Sequence, residues 1–297
     1  MKILLFGKNG QVGWELQRSL APLGELIALD RHSAGGWSGD LSDLEALRQT
    51  IRQIGPDIIV NAAAYTAVDR AESESVLADL VNGVATQIMA QEAASIGAWL
   101  VHYSTDYVFA GDGVNPRQET DGALPVNRYG ASKLAGEQAI VASGCKHLIF
   151  RTSWVYSARG NNFAKTMLHL ARERATLNVI SDQIGAPTGA DLIADVTALV
   201  ILQVLRRPEL MGIYHLAAAG EVSWYGYARH VVDFAKSCGE DLMVTEINPI
   251  GTSEYPTPAR RPLNSRLSTQ KLRNNFSLHL PKWQCGVTRM LREVLNK

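Results

Sequence analysis

The sequence predicts an α/β fold: a doubly wound parallel sheet with a smaller C-terminal α+β domain. Three observations predict it. Short, continuous apolar runs recur through the first half of the chain, at 3–6, 26–29, 58–60 and 99–103. Such unalternating runs read as strands buried on both faces of a parallel sheet. Segments with apolar residues at helical spacing lie between them, giving the alternation of a βαβ chain. The runs end in glycine, acidic, small or hydroxyl residues, just where a parallel sheet holds a ligand outside the carboxyl ends of its strands.

The 297 residues suffice for one large or two closely joined domains. The 29 basic and 29 acidic residues cancel, which argues against a dedicated nucleic-acid binder or a polybasic membrane surface. No stretch approaches the roughly 20 apolar residues of a membrane span. The apolar start meets glycine too soon for a signal peptide. Cys145, Cys238 and Cys285 are far apart and odd in number, which fits buried thiols in a reducing cytoplasm better than a disulfide framework or a zinc site.

The first strand, Ile3-Leu4-Leu5-Phe6, runs into Gly7-Lys8-Asn9-Gly10-Gln11-Val12-Gly13, and Val12, Leu16 and Leu20 mark the next helix. A strand, a glycine turn and a helix N-terminus together make a phosphate site, because the backbone can approach a pyrophosphate and the helix end presents unpaired N–H groups. Gly7, Gly10, Gln11, Val12 and Gly13 are the candidate contacts. The glycines fall three apart, unlike G-x-G-x-x-G, so an ordinary tight turn is the alternative. The second run ends at Asp30, 17 positions after Gly13, where a ribose-binding carboxylate is expected. Asp30 suits the 2′-hydroxyl of NADH, whereas Arg31 could accommodate the 2′-phosphate of NADPH. Asp40 and Leu41 could cover the adenine; equally, Asp40 or Ser42 could cap the helix at 44–54.

The third run ends in Asn61-Ala62-Ala63-Ala64-Tyr65-Thr66, small residues that leave room for a ligand. Leu77, Leu80, Val81, Val84 and Ile88 then form one helical stripe facing the core. The fourth run delivers Ser104-Thr105-Asp106, and the Thr105 hydroxyl could bond a substrate carbonyl or merely end the strand. Next comes Tyr129-Gly130-Ala131-Ser132-Lys133. On a helix this spacing places phenol and amine on one face. A cation beside a phenol lowers its pKa from about 10, and such a tyrosine can exchange a proton with a carbinol or carbonyl oxygen. A surface pair is the bland alternative. All five features face one crevice, and in this order they make the fold Rossmann-like: residues 1–160 resemble the extended short-chain dehydrogenase/reductase superfamily.

His147-Leu148-Ile149-Phe150 continues the sheet. After Tyr156 the chain turns polar and then helical, which we read as a crossing into the smaller domain. A strand at 178–181, the apolar helix at 192–205 and Ile213-Tyr214-His215-Leu216 return to the first, and Ser223 caps a helix at 224–237. The expected division is therefore 1–156 plus about 177–220, and about 157–176 plus 221–297.

Several segments resemble one member family, the dTDP-4-dehydrorhamnose reductases. They include Leu5-Phe6-Gly7-Lys8-Asn9-Gly10-Gln11-Val12-Gly13, Asn61-Ala62-Ala63-Ala64-Tyr65-Thr66-Ala67-Val68-Asp69, Ser104-Thr105-Asp106-Tyr107-Val108-Phe109 and Arg151-Thr152-Ser153-Trp154-Val155-Tyr156. Asp182-Gln183-Ile184-Gly185-Ala186-Pro187-Thr188 and Arg261-Pro262-Leu263-Asn264-Ser265 extend the likeness over essentially the whole chain. The resemblance implies NAD(P)H-dependent reduction of the 4-keto group of dTDP-4-dehydro-6-deoxy-L-mannose to dTDP-L-rhamnose, for a bacterial envelope polysaccharide. It implies Tyr129 as proton donor, Lys133 as its electrostatic partner and ribose ligand, and Thr105 as the hydroxyl polarising the ketone. Asp106 and Trp154 match positions contacting the dTDP-sugar, although Trp154 could equally be core, and the second domain becomes the substrate domain. Arginines at 260, 261 and 266 could hold the diphosphate. The resemblance further implies a cytoplasmic homodimer and a structural Mg²⁺ at its interface, matched here by Glu15, Asp191 and Glu293; Asp191 is one methylene shorter than the family's usual glutamate. A nucleotide-sugar epimerase or dehydratase of the same superfamily, or a non-catalytic regulatory subunit on this fold, are the alternatives; the absence of glutamate next to Asp106 disfavours a dehydratase.

Overall fold

The computed structural model describes residues 1–32 and 36–297. Five strands of its main sheet follow one another in the chain: β1 (Lys2–Phe6), β2 (Glu25–Leu29), β3 (Ile58–Asn61), β4 (Trp99–Thr105) and β5 (Lys146–Thr152). The strand Gly212–His215 adds itself outside β5. All neighbours pair in parallel, in the order Gly212–His215, β5, β4, β3, β1, β2. The strand order reverses at β1, which lies between β2 and β3, and a crevice opens beyond the carboxyl ends at such a reversal.

Side chains along β1 alternate between two cores, as a pleated strand requires. Ile3 and Leu5 face Leu16 and Leu20 of α1 (Gln11–Leu20) and Ile193 and Val200 of the helix Ala190–Val204. Leu4 and Phe6 face the other way, toward Leu47 and Ile51 of α2 (Leu44–Ile54), Met89 and Ile140. The α2 cap falls to Asp43, which accepts the Ala46 N–H at 3.0 Å, and not to either expected residue. Asp40 instead accepts the Ser42 N–H and hydroxyl at 2.9 and 2.7 Å. Of the cysteines, Cys145 is buried and Cys285 exposed.

The stripe expected from Leu77 to Ile88 is broken. Helices Ser75–Asp79 and Ala85–Ile96 are joined through a π-helical turn, Leu80–Val84. A π turn takes in an extra residue and rotates the helix beyond it. Val84 is consequently turned outward, 39% exposed, while Val81 and Ile88 stay in the core.

A third core gathers around the helices Phe163–Glu173, Trp224–Ser237 and Trp283–Val294. Ser223 caps the middle one by accepting the Gly226 N–H at 3.0 Å. Two assignments from the sequence need correcting. Strand Thr176–Ile180 pairs with Glu246–Ile250 and contributes Leu177 and Val179 to this third core, not to the main sheet. Conversely, Leu272, Phe276 and Leu280 pack against the sheet. A short apolar run shows that Thr176–Ile180 is a strand but not which partner it finds, and the helix Gln270–Phe276 likewise takes its place only through tertiary packing. Among the described residues, no helix is long and apolar enough to cross a membrane.

Candidate active site

A cavity of about 660 Å³ lies beyond the carboxyl ends of β1, β3, β4 and β5. One end is the glycine turn. Gly7 has φ +86°, and a Cβ there would come within 2.6 Å of the Ala63 nitrogen, so only glycine lets the ends of β1 and β3 meet this closely. At Gly13 a Cβ would stand 2.0 Å from the Gly7 carbonyl oxygen, so this glycine seats α1 on the turn and lies beneath the cavity wall. Gly10 caps α1 but offers no side-chain acceptor to its first N–H groups. Gly10, Gln11 and Val12 line the cavity. The arrangement fits a pyrophosphate: close backbone, available N–H donors and the positive end of a helix dipole.

Ala62, Ala63, Ala64 and Thr66 form the adjoining wall. Tyr65 turns away, donating its hydroxyl to Glu74 at 2.7 Å. Its backbone is clamped by Asn82 in the π turn, which accepts the Tyr65 N–H at 2.9 Å and donates to the Tyr65 carbonyl at 3.0 Å. Asn82 also donates to Ser132 at 2.9 Å, tying this wall to the helix Arg128–Ser143. Asp30, Arg31, Asp40 and Leu41 lie outside the main cavity. Asp30 accepts hydrogen bonds from Asn9 and the His32 N–H and stands 3.6 Å from Lys8 Nζ. Arg31 stands 3.6 Å from Asp40. Leu41 is packed in the second core.

At the other end of the cavity stand Thr105, Tyr129 and Lys133. Asn127 caps the helix carrying Tyr129 and Lys133 by accepting the Gly130 N–H at 2.8 Å. Thr105 Oγ1 accepts the Tyr107 N–H at 3.1 Å and donates to Asp106 Oδ1 at 3.2 Å. The expected lowering of the Tyr129 pKa is not found. Burial, and then the negative charge of Asp106, raise it well above the usual phenol value, partly opposed by the Thr105 hydroxyl. The cation meant to lower it, Lys133, instead directs Nζ at His102 Nε2, 3.1 Å away. Burial brings Lys133 itself down to about 8, with Glu137 opposing. Burial raises Asp106 to about 7, opposed by the nearby Ser265 and Thr105 hydroxyls.

Three buried polar atoms of the cavity wall lack a protein partner: Asp106 Oδ2, Ser104 Oγ and Thr152 Oγ1. Such atoms are rare in folded proteins, and here they suit a polar ligand. Trp154 holds φ +50° and stacks on Trp224 with ring centroids 3.6 Å apart and an angle of 13° between planes; both line the cavity. Sequence reasoning missed Trp224, since a tryptophan at a helix start looks like core. It also missed Ser104 and Thr152, whose only signal was their place at strand ends. Arg261 and Arg266 are paired with Asp69 and Glu221, at 2.6 and 2.7 Å. Glu15 stands 3.5 Å from Arg18 and Asp191 3.2 Å from Arg289. Among the described residues no three His, Cys, Asp or Glu gather to hold a metal ion.

A parallel sheet with a glycine turn after β1 and a Thr–Tyr–Lys set beyond β4 defines a member of the extended short-chain dehydrogenase/reductase class. The RmlD substrate binding domain model matches residues 1–296. A dTDP-4-dehydrorhamnose reductase of Salmonella typhimurium is 59% identical over 296 residues, which cover 100% of this chain and 99% of that one. The chain belongs to the dTDP-4-dehydrorhamnose reductase family. A solved structure of a reductase of that name from Clostridium acetobutylicum superposes with a TM-score of 0.89 at 33% identity, covering 100% of both chains. Another from Bacillus anthracis, in complex with NADP, gives 0.87 at 36%, covering 98% of this chain and 99% of that one.

Proposed function

We propose that this protein reduces the 4-keto group of dTDP-4-dehydro-6-deoxy-L-mannose, yielding dTDP-L-rhamnose, with NADPH or NADH as reductant. The observation that carries the proposal is the joining of Thr105, Tyr129 and Lys133 to a glycine-lined helix N-terminus across one cavity. Gly7, Gly10, Gln11 and Val12 would hold the pyrophosphate, and the alanine wall would flank the nicotinamide side. Asp30 and Arg31 would meet the adenosine ribose with or without its phosphate, with Asp40 beside them. The reduced cofactor, when bound, supplies a hydride to the carbonyl carbon.

The protein's part is to stabilise and protonate the oxygen. Negative charge grows on the carbonyl oxygen as its carbon is reduced. Thr105 and Tyr129, which line the same cavity, are donors for that charge. Tyr129 completes the step by giving its proton to the oxygen. Burial and Asp106 keep the phenol protonated, which is the form a donor needs. Lys133 balances the phenolate that remains. The nucleotide-sugar would lie toward the Trp154–Trp224 stack, with Asp106 Oδ2 accepting from it and the third core forming its domain. Mg²⁺ at Glu15, Asp191 and Glu293 would need a second copy of the chain in a homodimer, and the chemistry does not call for it.

The test is an assay in which the preceding epimerase generates the keto sugar in situ, with NADPH and NADH in parallel. Cofactor oxidation that depends on both protein and sugar, with dTDP-L-rhamnose formed, is the expected result. No oxidation with a working epimerase would overturn the proposal.

A further inference from the structure

His102 lies on β4 three residues before Thr105 and is 1% exposed. In register it stands beside Asn61 of β3 and Ile149 of β5. Its ring joins two elements of the site. Nε2 is 3.1 Å from Lys133 Nζ, and Nδ1 is 3.2 Å from Asn61 Nδ2. Asn61 Oδ1 in turn accepts the Ala63 N–H at 3.2 Å, and Ala63 lines the cavity. One hydrogen-bonded chain thus runs from Lys133 to the wall opposite. We propose that His102 is a positioning residue for Lys133, and that its tautomer couples the charge of Lys133 to the orientation of the Asn61 amide. The proposal rests on the role given to Lys133 above.

Counting donors and acceptors carries it. An ammonium only donates, so a charged Lys133 requires Nε2 to accept and Nδ1 to carry the ring proton. Nδ1–H then needs the amide oxygen of Asn61, and the Ala63 N–H is left facing the amide nitrogen. In the opposite orientation the Ala63 N–H is satisfied and Nδ1 accepts. Nε2–H then points at Lys133, which can accept only as a neutral amine. Either state leaves the other end of the chain different. The imidazole itself stays neutral, because burial and the charge of Lys133 hold it well below its usual range. Lys133 is the charged group acting on the ring, and Glu137 acts on Lys133 in turn.

Two measurements test this. In the first, kcat is compared for the wild type, His102→Leu, Lys133→Met and the double variant, with folding checked by thermal melts. His102→Leu should lose about tenfold to a hundredfold, the effect of one hydrogen bond to a charged group. In the Lys133→Met background the same change should cost no more than about twofold, because the two act as a unit. His102→Gln, which keeps an acceptor for the amine, should recover most of the loss and serves if the leucine variant does not fold. Equal losses in both backgrounds, as packing alone would give, would overturn the proposal. In the second, ¹⁵N NMR of the ring follows the tautomer in the wild type. The proton should move from Nδ1 to Nε2 as Lys133 loses its charge on raising pH, and an unchanged tautomer would overturn the coupling. The NMR readout needs no turnover, so an inactive wild type would count against the reductase proposal alone.

Discussion

Lys133→Met should change how stability depends on pH, in a direction fixed by burial. Lys133 is 2% exposed, and burial lowers its pKa from 10.5 to about 8. Between those values the unfolded chain holds a proton that the folded protein has released. Stability rises with pH wherever the unfolded state binds more protons. The wild type therefore gains stability from pH 8 to 10.5, at up to about 1.4 kcal/mol per unit and roughly 3 kcal/mol in all. Below pH 8 the folded protein bears the full cost of the buried ammonium. The methionine variant has no such titration at this position. Other lysines and the tyrosines titrate in both proteins, so the wild-type-minus-variant difference isolates this one group. Losing the bond to His102 shifts that difference by a constant and leaves its slope alone. Urea unfolding at pH 7, 8, 9 and 10, extrapolated linearly to water, measures it. A difference that stays flat, or that falls as pH rises, would refute the assignment of a desolvated ammonium.

The same site carries other expectations. Tyr129→Phe should bind NADPH within about threefold of wild type yet lose about 10²- to 10⁴-fold in kcat, the usual worth of a positioned proton donor; fluorescence titration and the coupled assay separate the two, and an active variant would remove the donor role. Gly7→Ala forces a Cβ against the Ala63 backbone at a positive φ, so cofactor affinity should fall at least about tenfold even where a melt shows folded protein. Asp106 titrates near pH 7 and its charge raises the Tyr129 pKa. Asp106→Asn should therefore lower the phenol titration, read by ultraviolet difference spectra, and abolish any inflection near pH 7 in the rate profile.

Much of the site was legible because its chemistry sits in short local patterns. The Tyr129–Lys133 spacing, the glycine turn and the small residues after β3 each announce themselves within a few positions. The features that escaped depend on three-dimensional neighbours. His102 looks like one polar residue in a buried strand, and only folding puts Lys133 beside it. The expectation that Lys133 would lower the Tyr129 pKa relied on helical spacing, but the ammonium turned to the imidazole and burial governed the phenol. The main sheet was readable from unbroken apolar runs. The destination of Thr176–Ile180 was not, since its partner Glu246–Ile250 lies far along the chain. The break in the Leu77–Ile88 stripe was hidden for another reason: nothing in the residue types at 80–84 demands a wider turn. The bonds of Asn82 to Tyr65 and Ser132 give the wider turn a place in the folded protein.

That turn also makes sequence length a functional variable. Deleting one residue between Leu80 and Val84 would let the helix close with ordinary i→i+4 bonds, and helix propensity would welcome the change. It would also rotate Ser75–Asp79 by about 100° relative to Ala85–Ile96. The clamp on Tyr65 would be released, and with it the alanine wall. A shorter relative that folds more stably but holds its nucleotide poorly would be the natural outcome. Alignments of this region should therefore be judged by whether an asparagine survives at position 82, because a gap placed there removes a fastening rather than a loop.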